Sequence, residues 1–343
     1  MNSAAAAIDR LWHSRNPVAL ALWPLSLAFR LAVALRRLAY RRGVLKPRRL
    51  EVPVIVVGNI TVGGSGKTPL VIRLAQLLRE AGYRPGIVSR GYGGKATAQP
   101  QLVTAASDPA EVGDEPLLLA RRSGCPVAVA ADRVAAARTL LARHACNVIL
   151  ADDGLQHYRL GRDLEIAVID GARRFGNGFF LPAGPLREPP GRLRQVDFRV
   201  ANGAARPGEE PMTLLATRAV HLADAQVSCA LAAFRGQLVH AVAGIGHPER
   251  FFQALQAQGI RVLPHPFPDH HPFTAADLDF ADELPVLMTE KDAVKCQRLT
   301  QAGHFWQVPV QARLEGGFEQ RLLARLAGLA TTSSTPLRER HDG

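Results

Sequence analysis

Between a β-branched run and an apolar periodic segment, the chain reads Gly58-Asn59-Ile60-Thr61-Val62-Gly63-Gly64-Ser65-Gly66-Lys67-Thr68. The preceding run, Val-Ile-Val-Val over 54–57, is typical of a buried strand, and 70–78 has the apolar spacing of a helix. A strand, a glycine-rich turn and a helix that opens with Gly-Lys-Thr form a cradle for polyphosphate, because backbone N–H groups and a helix N-terminus attract anionic oxygens. The pattern predicts a nucleoside triphosphate site contacted by Thr61 to Thr68.

This turn departs from the usual phosphate-loop spacing at one position. The G-x-x-x-x-G-K-[ST] pattern places its first glycine where this chain has Thr61, and the nearest upstream glycine is Gly58. The segment is therefore a variant phosphate loop. The alternative is a tight strand-to-helix connection that binds no ligand.

The size and charge of the chain limit the classes of protein it can belong to. With 343 residues, of which 47% are apolar, it is long enough for two globular domains. Its net charge of +12 is uneven, because residues 1–50 hold ten arginines and lysines and a single acid, Asp9. A nucleic-acid-binding protein more often carries its basic face on a folded domain with interleaved aromatic residues. Here the excess brackets an apolar segment, so an anionic membrane surface is the expected partner and no nucleic acid is expected.

The apolar segment covers residues 16–35, with Arg30 as its one charged residue. About twenty residues can just span a bilayer, but Arg30, Pro17 and Pro24 argue equally for a helix that lies in the interface. A cleavable signal peptide and an ordinary docking helix are the alternatives. Export is disfavoured because a phosphate loop needs cytosolic ATP, and the heavier basic flank on the C-terminal side keeps the following domains in the cytoplasm.

Strand-like runs alternate with helical patterns after the loop, which predicts an α/β fold of the P-loop NTPase kind, with a parallel sheet covered by helices. We expect strands over 86–89, 127–130, 147–150 and 166–169, and helices over 115–122 and 133–144. A second, smaller α/β unit is expected from strands over 238–243, 260–263 and 285–288 and helices over 248–258 and 318–329. The predicted division is a membrane-associating helix at 1–45, a phosphate-loop domain at 46–205, a second domain at 206–330 and a disordered tail at 331–343.

Two acids, Asp152 and Asp153, follow a predicted buried strand. The carboxyl end of that strand lies beside the phosphate loop in a phosphate-loop fold, so a carboxylate there can hold Mg²⁺ directly or through water, with the Thr68 hydroxyl as a second ligand. The alternative is a simple Asp-Asp-Gly turn.

Phosphoryl transfer to an alcohol also needs a group that positions or deprotonates the hydroxyl. Asp114 precedes a predicted helix, where spacing alone favours an N-cap. The segment Asp269-His270-His271 is a compact cluster of an acid and two imidazoles on a loop, and a solvated loop is an equally good interpretation. Basic residues placed for anionic ligands are Arg90, Arg133 and Arg187, although most arginines are solvated surface residues.

Taken together, these segments resemble the tetraacyldisaccharide 4′-kinase family, the membrane-associated lipid A kinases of Gram-negative bacteria. The resemblance covers nearly the whole chain, and the order and number of the matching segments carry it. These segments are the basic apolar N-terminus, 58–69, 89–94, 113–116, 152–157, 181–188, 243–252, 267–271 and 289–292.

The resemblance implies transfer of the ATP γ-phosphoryl group to the 4′-hydroxyl of a tetraacyldisaccharide 1-phosphate, giving lipid IVA in lipid A biosynthesis. The implied place is the cytoplasmic face of the bacterial inner membrane, and the implied cofactors are ATP and Mg²⁺. Two α/β/α domains with a cleft between them are the implied architecture. No obligate protein partner is expected.

The resemblance also implies roles for individual residues. Lys67 would hold the β- and γ-phosphates, and Thr68 the metal ion. Asp114 would act as base toward the sugar hydroxyl, coupled to a histidine for which His270 is preferred to His271. The Mg²⁺ site would involve Asp152, Asp153 and Glu188, with Arg187 close by. Residues expected near phosphates or substrate are Arg90, Arg133 and Gln156, and the segment 289–292 is expected near the nucleotide.

Two other functions are compatible with the loop. A membrane-bound ATPase switch of the partition or targeting kind also uses Gly-Gly-x-Gly-Lys-Thr near a membrane helix. Such proteins usually carry a lysine immediately before the paired glycines, where this chain has Val62. A kinase for a soluble sugar is the second alternative, but it would need no apolar N-terminal segment.

Overall fold

The computed structural model describes residues 11–95, 99–299 and 303–332, and its first long element is helix α1 (Pro17–Arg41). The Asn16 side chain caps this helix by accepting a hydrogen bond from the Ala19 backbone N–H. Most side chains of α1 are exposed, but Ser26 is buried and its Oγ donates to the Phe180 carbonyl oxygen at 2.7 Å. The helix therefore docks on the following domain along one narrow stripe.

Strands and helices then alternate along the described residues, as the sequence pattern predicts. The strands are β1 (Val54–Gly58), β2 (Pro85–Ser89), β3 (Gln101–Val103), β4 (Val127–Val129), β5 (Val148–Ala151), β6 (Leu164–Asp170), β7 (Phe198–Asn202), β8 (Glu210–Leu215), β9 (Arg218–His221), β10 (Ser228–Ala230), β11 (Leu238–Ala243), β12 (Arg261–Pro266), β13 (Val286–Thr289), β14 (Phe305–Val308) and β15 (Gln311–Leu314). The other α-helices are α2 (Lys67–Glu80), α3 (Pro109–Val112), α4 (Asp114–Ser123), α5 (Arg133–Arg143), α6 (Pro248–Ala257), α7 (Glu290–Cys296) and α8 (Phe318–Thr332).

Strand β1 lies at the centre of the first sheet, whose order is β15-β8-β7-β6-β1-β5-β2-β4-β3. It pairs in parallel with β5 and β6, and all of its residues are buried. Successive side chains of a strand point to opposite faces. Ile55 and Val57 accordingly pack with α2, α4 and α8, whereas Val54 and Val56 pack with α5. Burial on both faces explains why this strand reads as a continuous apolar run rather than as an alternating one.

The second sheet has the order β10-β9-β14-β13-β11-β12, with β11 to β14 paired in parallel. Helix α6 covers one face, where Phe252 and Leu255 pack with Ala241 of β11. On the other face, Val242 packs in a cluster with Phe273. Each sheet therefore has its own core, and the expected α/β architecture is confirmed.

The boundary between the two units differs from the expected one. The strands of the second sheet lie between 218 and 308, because the chain then returns to the first unit, where β15 pairs with β8. Phe318 and Leu322 of α8 belong to the core of the first sheet. The C-terminal helix, expected in the second unit, is thus part of the first. Residues 331 and 332 end this helix, whereas 333–343 of the expected tail lie outside the described residues.

Candidate active site

The glycine-rich turn connects the central strand β1 to the N-terminus of α2. A Cβ atom on Gly58 would lie 2.8 Å from Leu155 Cγ, so the turn begins at a close backbone approach. Gly66 caps α2 with φ of 90°, in the left-handed region that favours glycine. Asn59 stabilises the turn, because its Nδ2 donates to Ser65 Oγ at 3.2 Å. Residues 62–69, including the start of α2, line a cleft, which places a helix N-terminus where an anion can bind.

Asp153 follows β5, the parallel neighbour of β1, and therefore lies beside the turn. Its carboxylate is 3.7 Å from Lys67 Nζ and 2.8 Å from Arg187 Nη1. Burial alone would raise the pKa of Asp153, but Lys67 and Arg187 lower it to about 2. The structure thus joins three residues singled out from the sequence into one charged cluster.

Asp152 is in the opposite electrostatic situation. It is buried, and Ser89 Oγ donates to its Oδ2 at 3.1 Å, while no described residue donates to its Oδ1. Burial, together with the nearby carboxylates of Glu115 and Asp153, raises the pKa of Asp152 to about 7. An oxygen that is buried without a partner is suited to a cation or a water ligand.

Glu188 has both carboxylate oxygens engaged. Gln156 Nε2 donates to Oε1 at 3.0 Å, and the Tyr158 hydroxyl donates to Oε2. The guanidinium groups of Arg37 and Arg192 lie 3.8 Å and 3.6 Å from Oε2. Because Arg37 belongs to α1, this carboxylate links the apolar helix to the cleft. Nothing in the local sequence indicated the contacts made by Tyr158 and Arg37.

Asp114 and a histidine of the 269–271 segment meet across the two units. Asp114 is the first residue of α4, after Gly113 with φ of 90°, rather than its N-cap. His270 has φ of 61° and places its Nδ1 at 3.1 Å from Asp114 Oδ2. His271 is directed elsewhere, since its Nε2 lies 3.3 Å from Asp277 Oδ2.

The two partners change each other's pKa. Burial would raise the pKa of Asp114, but His270, Lys291 and Lys295 lower it below its ordinary value. The contact with Asp114 raises the pKa of His270, against the opposite effects of burial and of Lys291. Asp114 is therefore ionised near neutral pH. It is only 4% exposed, and the groups of this cluster that line the cleft are Glu115, Asp269, His270 and Lys291.

Two lysines of α7 join this cluster, and sequence reasoning missed both. Lys291 Nζ lies 3.1 Å from Glu115, 2.9 Å from Asp269 and 3.2 Å from His270 Nε2. Lys295 Nζ lies 3.8 Å from Asp114 Oδ2. The segment 289–292, expected near the nucleotide, therefore contacts the Asp–His pair. That segment includes Lys291, but nothing in the sequence linked either lysine to His270 or Asp114.

The remaining predicted cations lie around the turn. Arg133 is buried at the start of α5, and its Nη2 is 3.5 Å from the Asp153 carbonyl oxygen. Burial lowers the pKa of Arg133, although the group stays charged. Arg90 is exposed after β2 and lines the cleft.

These groups share one cleft of about 1710 Å³ between the two units. That volume exceeds the roughly 300–1,000 Å³ of a pocket for one small ligand, so the cleft has room for two substrates. Phe29, Ala32 and Val33 of α1 form part of its wall. A salt bridge of 2.7 Å between Asp170 and Arg250 holds the two units together beside it.

Comparison with known proteins identifies the family. A family model described as tetraacyldisaccharide-1-P 4′-kinase matches residues 18–327. The chain belongs to this family. Curated relatives named tetraacyldisaccharide 4′-kinase include one from Nitrosococcus oceani, 54% identical over 326 residues that cover 95% of this chain and 96% of the relative. Another, from Azoarcus sp., is 55% identical over 323 residues, covering 92% and 94% of the two chains.

A solved structure supports the same assignment to the tetraacyldisaccharide-1-P 4′-kinase family. The crystal structure of LpxK from Aquifex aeolicus in complex with ATP matches with a TM-score of 0.76 at 30% identity. The match covers 90% of this chain and 99% of that one. The resemblance stated from the motifs, and the kinase class that comes with it, is confirmed.

Proposed function

We propose that this protein transfers the γ-phosphoryl group of ATP to the 4′-hydroxyl of a tetraacyldisaccharide 1-phosphate, the step that yields lipid IVA in lipid A biosynthesis. One observation carries the proposal: the phosphate loop, His270 with Asp114 behind it, and the apolar helix α1 meet at the same cleft. The family and the ATP complex of the Aquifex relative support both substrates. A kinase for a soluble sugar would not need the apolar side chains that α1 contributes to the side of the cleft.

In this proposal the loop holds the triphosphate. The amides of residues 63–66 and the N-terminus of α2 face the phosphates, and Lys67 holds the β- and γ-phosphates, whereas the Val62 N–H donates to the Pro185 carbonyl oxygen at 2.8 Å. Lys67 Nζ lies 3.7 Å from the Asp153 carboxylate, and a bound triphosphate would attract the ammonium away from it. The other cations at the cleft that would neutralise phosphate charge are Arg90, Arg133 and Arg187.

Asp114 acts as the base, with His270 as its partner. Its lowered pKa keeps it ionised but makes it a weak base. A weak base is sufficient because phosphoryl transfer has a loose transition state, in which the hydroxyl proton leaves late. Asp114 lies beneath the cleft surface, so substrate entry must bring the hydroxyl to it. Positioning and charge neutralisation therefore do most of the catalytic work.

The residues around the loop fit a Mg²⁺ ion that accompanies ATP. Mg²⁺ is usually held by one or two oxygen ligands together with substrate phosphates, and the unpartnered Oδ1 of Asp152 and the hydroxyl of Thr68 meet that need. Asp153 and Glu188 are paired with cations and would have to exchange these partners to ligate the ion. Among residues 11–95, 99–299 and 303–329, no three His, Cys, Asp or Glu side chains converge as metal ligands. When bound, the ion would supply positive charge to the β- and γ-phosphates.

Helix α1 anchors the protein to the cytoplasmic face of the inner membrane. Its most apolar 18-residue window has a mean hydropathy of 2.0, and only 11% of it is buried. Large apolar side chains on it, such as Trp23, Leu31 and Leu35, are exposed. The arginines that follow can pair with anionic headgroups. No protein partner or nucleic acid is needed for this function.

The test is transfer of labelled γ-phosphate to a lipid disaccharide 1-phosphate by the full-length protein in mixed micelles. Label should appear in the lipid and require the acylated acceptor, whereas acceptor-independent ATP hydrolysis would instead support an ATPase switch. Lys67→Ala and Asp114→Asn should each lower turnover by orders of magnitude. Glu111→Gln, which changes an exposed acid just before Asp114, should retain it. Near-normal turnover of Asp114→Asn would remove Asp114 from the mechanism.

A further inference from the structure

Lys291 is the one cation that contacts His270 among the described residues. Its ammonium lies between the carboxylates of Glu115 on α4 and Asp269 on the histidine's own loop. Burial would lower the pKa of Lys291, but these acids and Asp114 raise it. Lys291 therefore remains protonated across the whole working pH range, with three N–H donors and no acceptor.

The contact between Lys291 and His270 restricts the imidazole to one form. A nitrogen that lies 3.2 Å from an ammonium must offer a lone pair, so Nε2 of His270 carries no proton. The remaining proton then lies on Nδ1, for which the carboxylate oxygen given at ion-pair distance is Asp114 Oδ2, at 3.1 Å. A doubly protonated imidazole would direct its Nε2–H at the ammonium, which is repulsive.

We propose that Lys291 is a positioning residue that holds His270 as the neutral tautomer with its proton on Nδ1, the ring nitrogen next to Asp114. This inference rests on the proposed role of Asp114 as base. The neutral imidazole then presents its Nδ1 side to the carboxylate, while the Lys291 ammonium itself lowers the pKa of Asp114. Lys291 thereby acts on the reaction through His270 and does not touch the transferred group.

The groups that surround His270 set the direction of the effect when Lys291 is removed. Asp114 faces Nδ1 from α4, Asp269 Oδ1 lies 3.8 Å from Nε2, and the edge-on ring of Tyr92 lies 5.0 Å away between centroids. Without the ammonium, both neighbouring charges on His270 are negative, so its pKa rises further. Lys295 still faces Asp114 and keeps that carboxylate ionised.

The Lys291→Met enzyme should therefore hold His270 as an imidazolium at neutral pH. The imidazolium would lower the pKa of Asp114, whereas the loss of the Lys291 ammonium raises it, so the two changes oppose each other at the base. Because the proton leaves late in the transition state, we expect the clearest change in the protonation of His270, with kcat at pH 7 within roughly threefold of the native value. A purely structural loss would lower kcat by more than this at every pH.

The direct measurement is the nitrogen chemistry of His270 in the full-length, micelle-bound protein labelled with ¹⁵N-histidine. His270→Gln identifies the resonances. The native protein should show Nδ1–H and an unprotonated Nε2 at pH 8, and Lys291→Met should shift the His270 titration midpoint upward by roughly one unit. A proton on Nε2 in the native protein would overturn the inference without any variant.

Matched variants separate the possible causes. Lys291→Arg retains a donor and should keep the Nδ1–H form, and Lys291→Gln replaces Lys291→Met if the latter does not fold. Lys295→Met removes a cation near Asp114 and should leave the His270 tautomer unchanged, as should Arg261→Met at an exposed site of the same unit. An unchanged His270 titration midpoint in Lys291→Met or Lys291→Gln contradicts the inference. Failure of the proposed function is a separate result, namely turnover retained by Asp114→Asn.

Discussion

Asp152 and Asp153, the adjacent acids after β5, should change the stability of the protein in opposite directions when each is replaced by asparagine. Asp152→Asn removes a carboxylate whose pKa is raised to about 7, whereas Asp153→Asn removes one whose pKa is lowered to about 2. A pKa difference between the folded and unfolded protein is a free energy of folding, at about 1.4 kcal/mol per unit. We therefore expect Asp152→Asn to stabilise the metal-free protein and Asp153→Asn to destabilise it.

The size of each stability change follows from the pKa shift of the residue that is replaced. For Asp152 the difference from an ordinary carboxyl is about three units, equivalent to roughly 2–4 kcal/mol once its coupling to neighbouring acids is considered. The charged form is disfavoured by folding, so this penalty grows as pH rises from about 4 and is complete above about 7. The gain from Asp152→Asn should therefore be large at pH 8 and small at pH 4.5.

Asp153 behaves in the reverse manner. Its contribution to stability is complete above the unfolded pKa near 4 and is lost only as pH falls toward 2. Its side chain is 31% exposed, which weakens its ion pairs, so Asp153→Asn should cost about 1–2 kcal/mol at both pH 4.5 and pH 8.

Urea unfolding followed by circular dichroism, in detergent with a chelator, measures both effects. The two variants are controls for each other, because each replaces a carboxylate by an amide of the same size and the two positions are adjacent. A loss of stability in Asp152→Asn at pH 8, or shifts of the same sign in both variants, would refute the electrostatic reasoning. Both variants should lower kinase activity, so any stability gained at Asp152 would come at the expense of function.

Three further predictions concern the loop, the core and the membrane helix. Gly66→Ala, at a positive φ and with a Cβ only 2.8 Å from the nearest side chain, should weaken binding of a fluorescent ATP analogue by roughly tenfold or more, while Gly303→Ala, which meets open space away from the cleft, should not. Phe318→Ala should lower the free energy of unfolding by about 3–5 kcal/mol because this ring is only 1% exposed, and equal stability to the exposed-site variant Gln320→Ala would contradict the core assignment. Deletion of residues 1–40 should abolish vesicle binding and impair action on the acylated acceptor, so full retention of both would remove this helix from the proposed function.

Several local features could be predicted because they depend on residues that are neighbours in sequence. Strand β1, the glycine-rich turn and the start of α2 require only a β-branched run, residues free to adopt positive φ and an apolar helical period. Helix α1 could be predicted for the same reason, because its N-cap residue and its apolar stretch follow each other directly in the sequence. The unit boundary was predicted incorrectly at the C-terminal side, because nothing in the sequence of α8 says which of the two sheets its apolar face covers.

The order of the motifs along the chain determined the family, and the local pattern determined where a triphosphate would bind. Only the tertiary structure decided that His270 rather than His271 meets Asp114, that Lys291 faces the imidazole, and that Glu188 is occupied by arginines and a tyrosine. The physical reason is distance along the chain. Periodicity and turn chemistry act over a few residues, whereas the pKa of a carboxylate and the tautomer of a histidine depend on which charges the folded chain brings within about 4 Å.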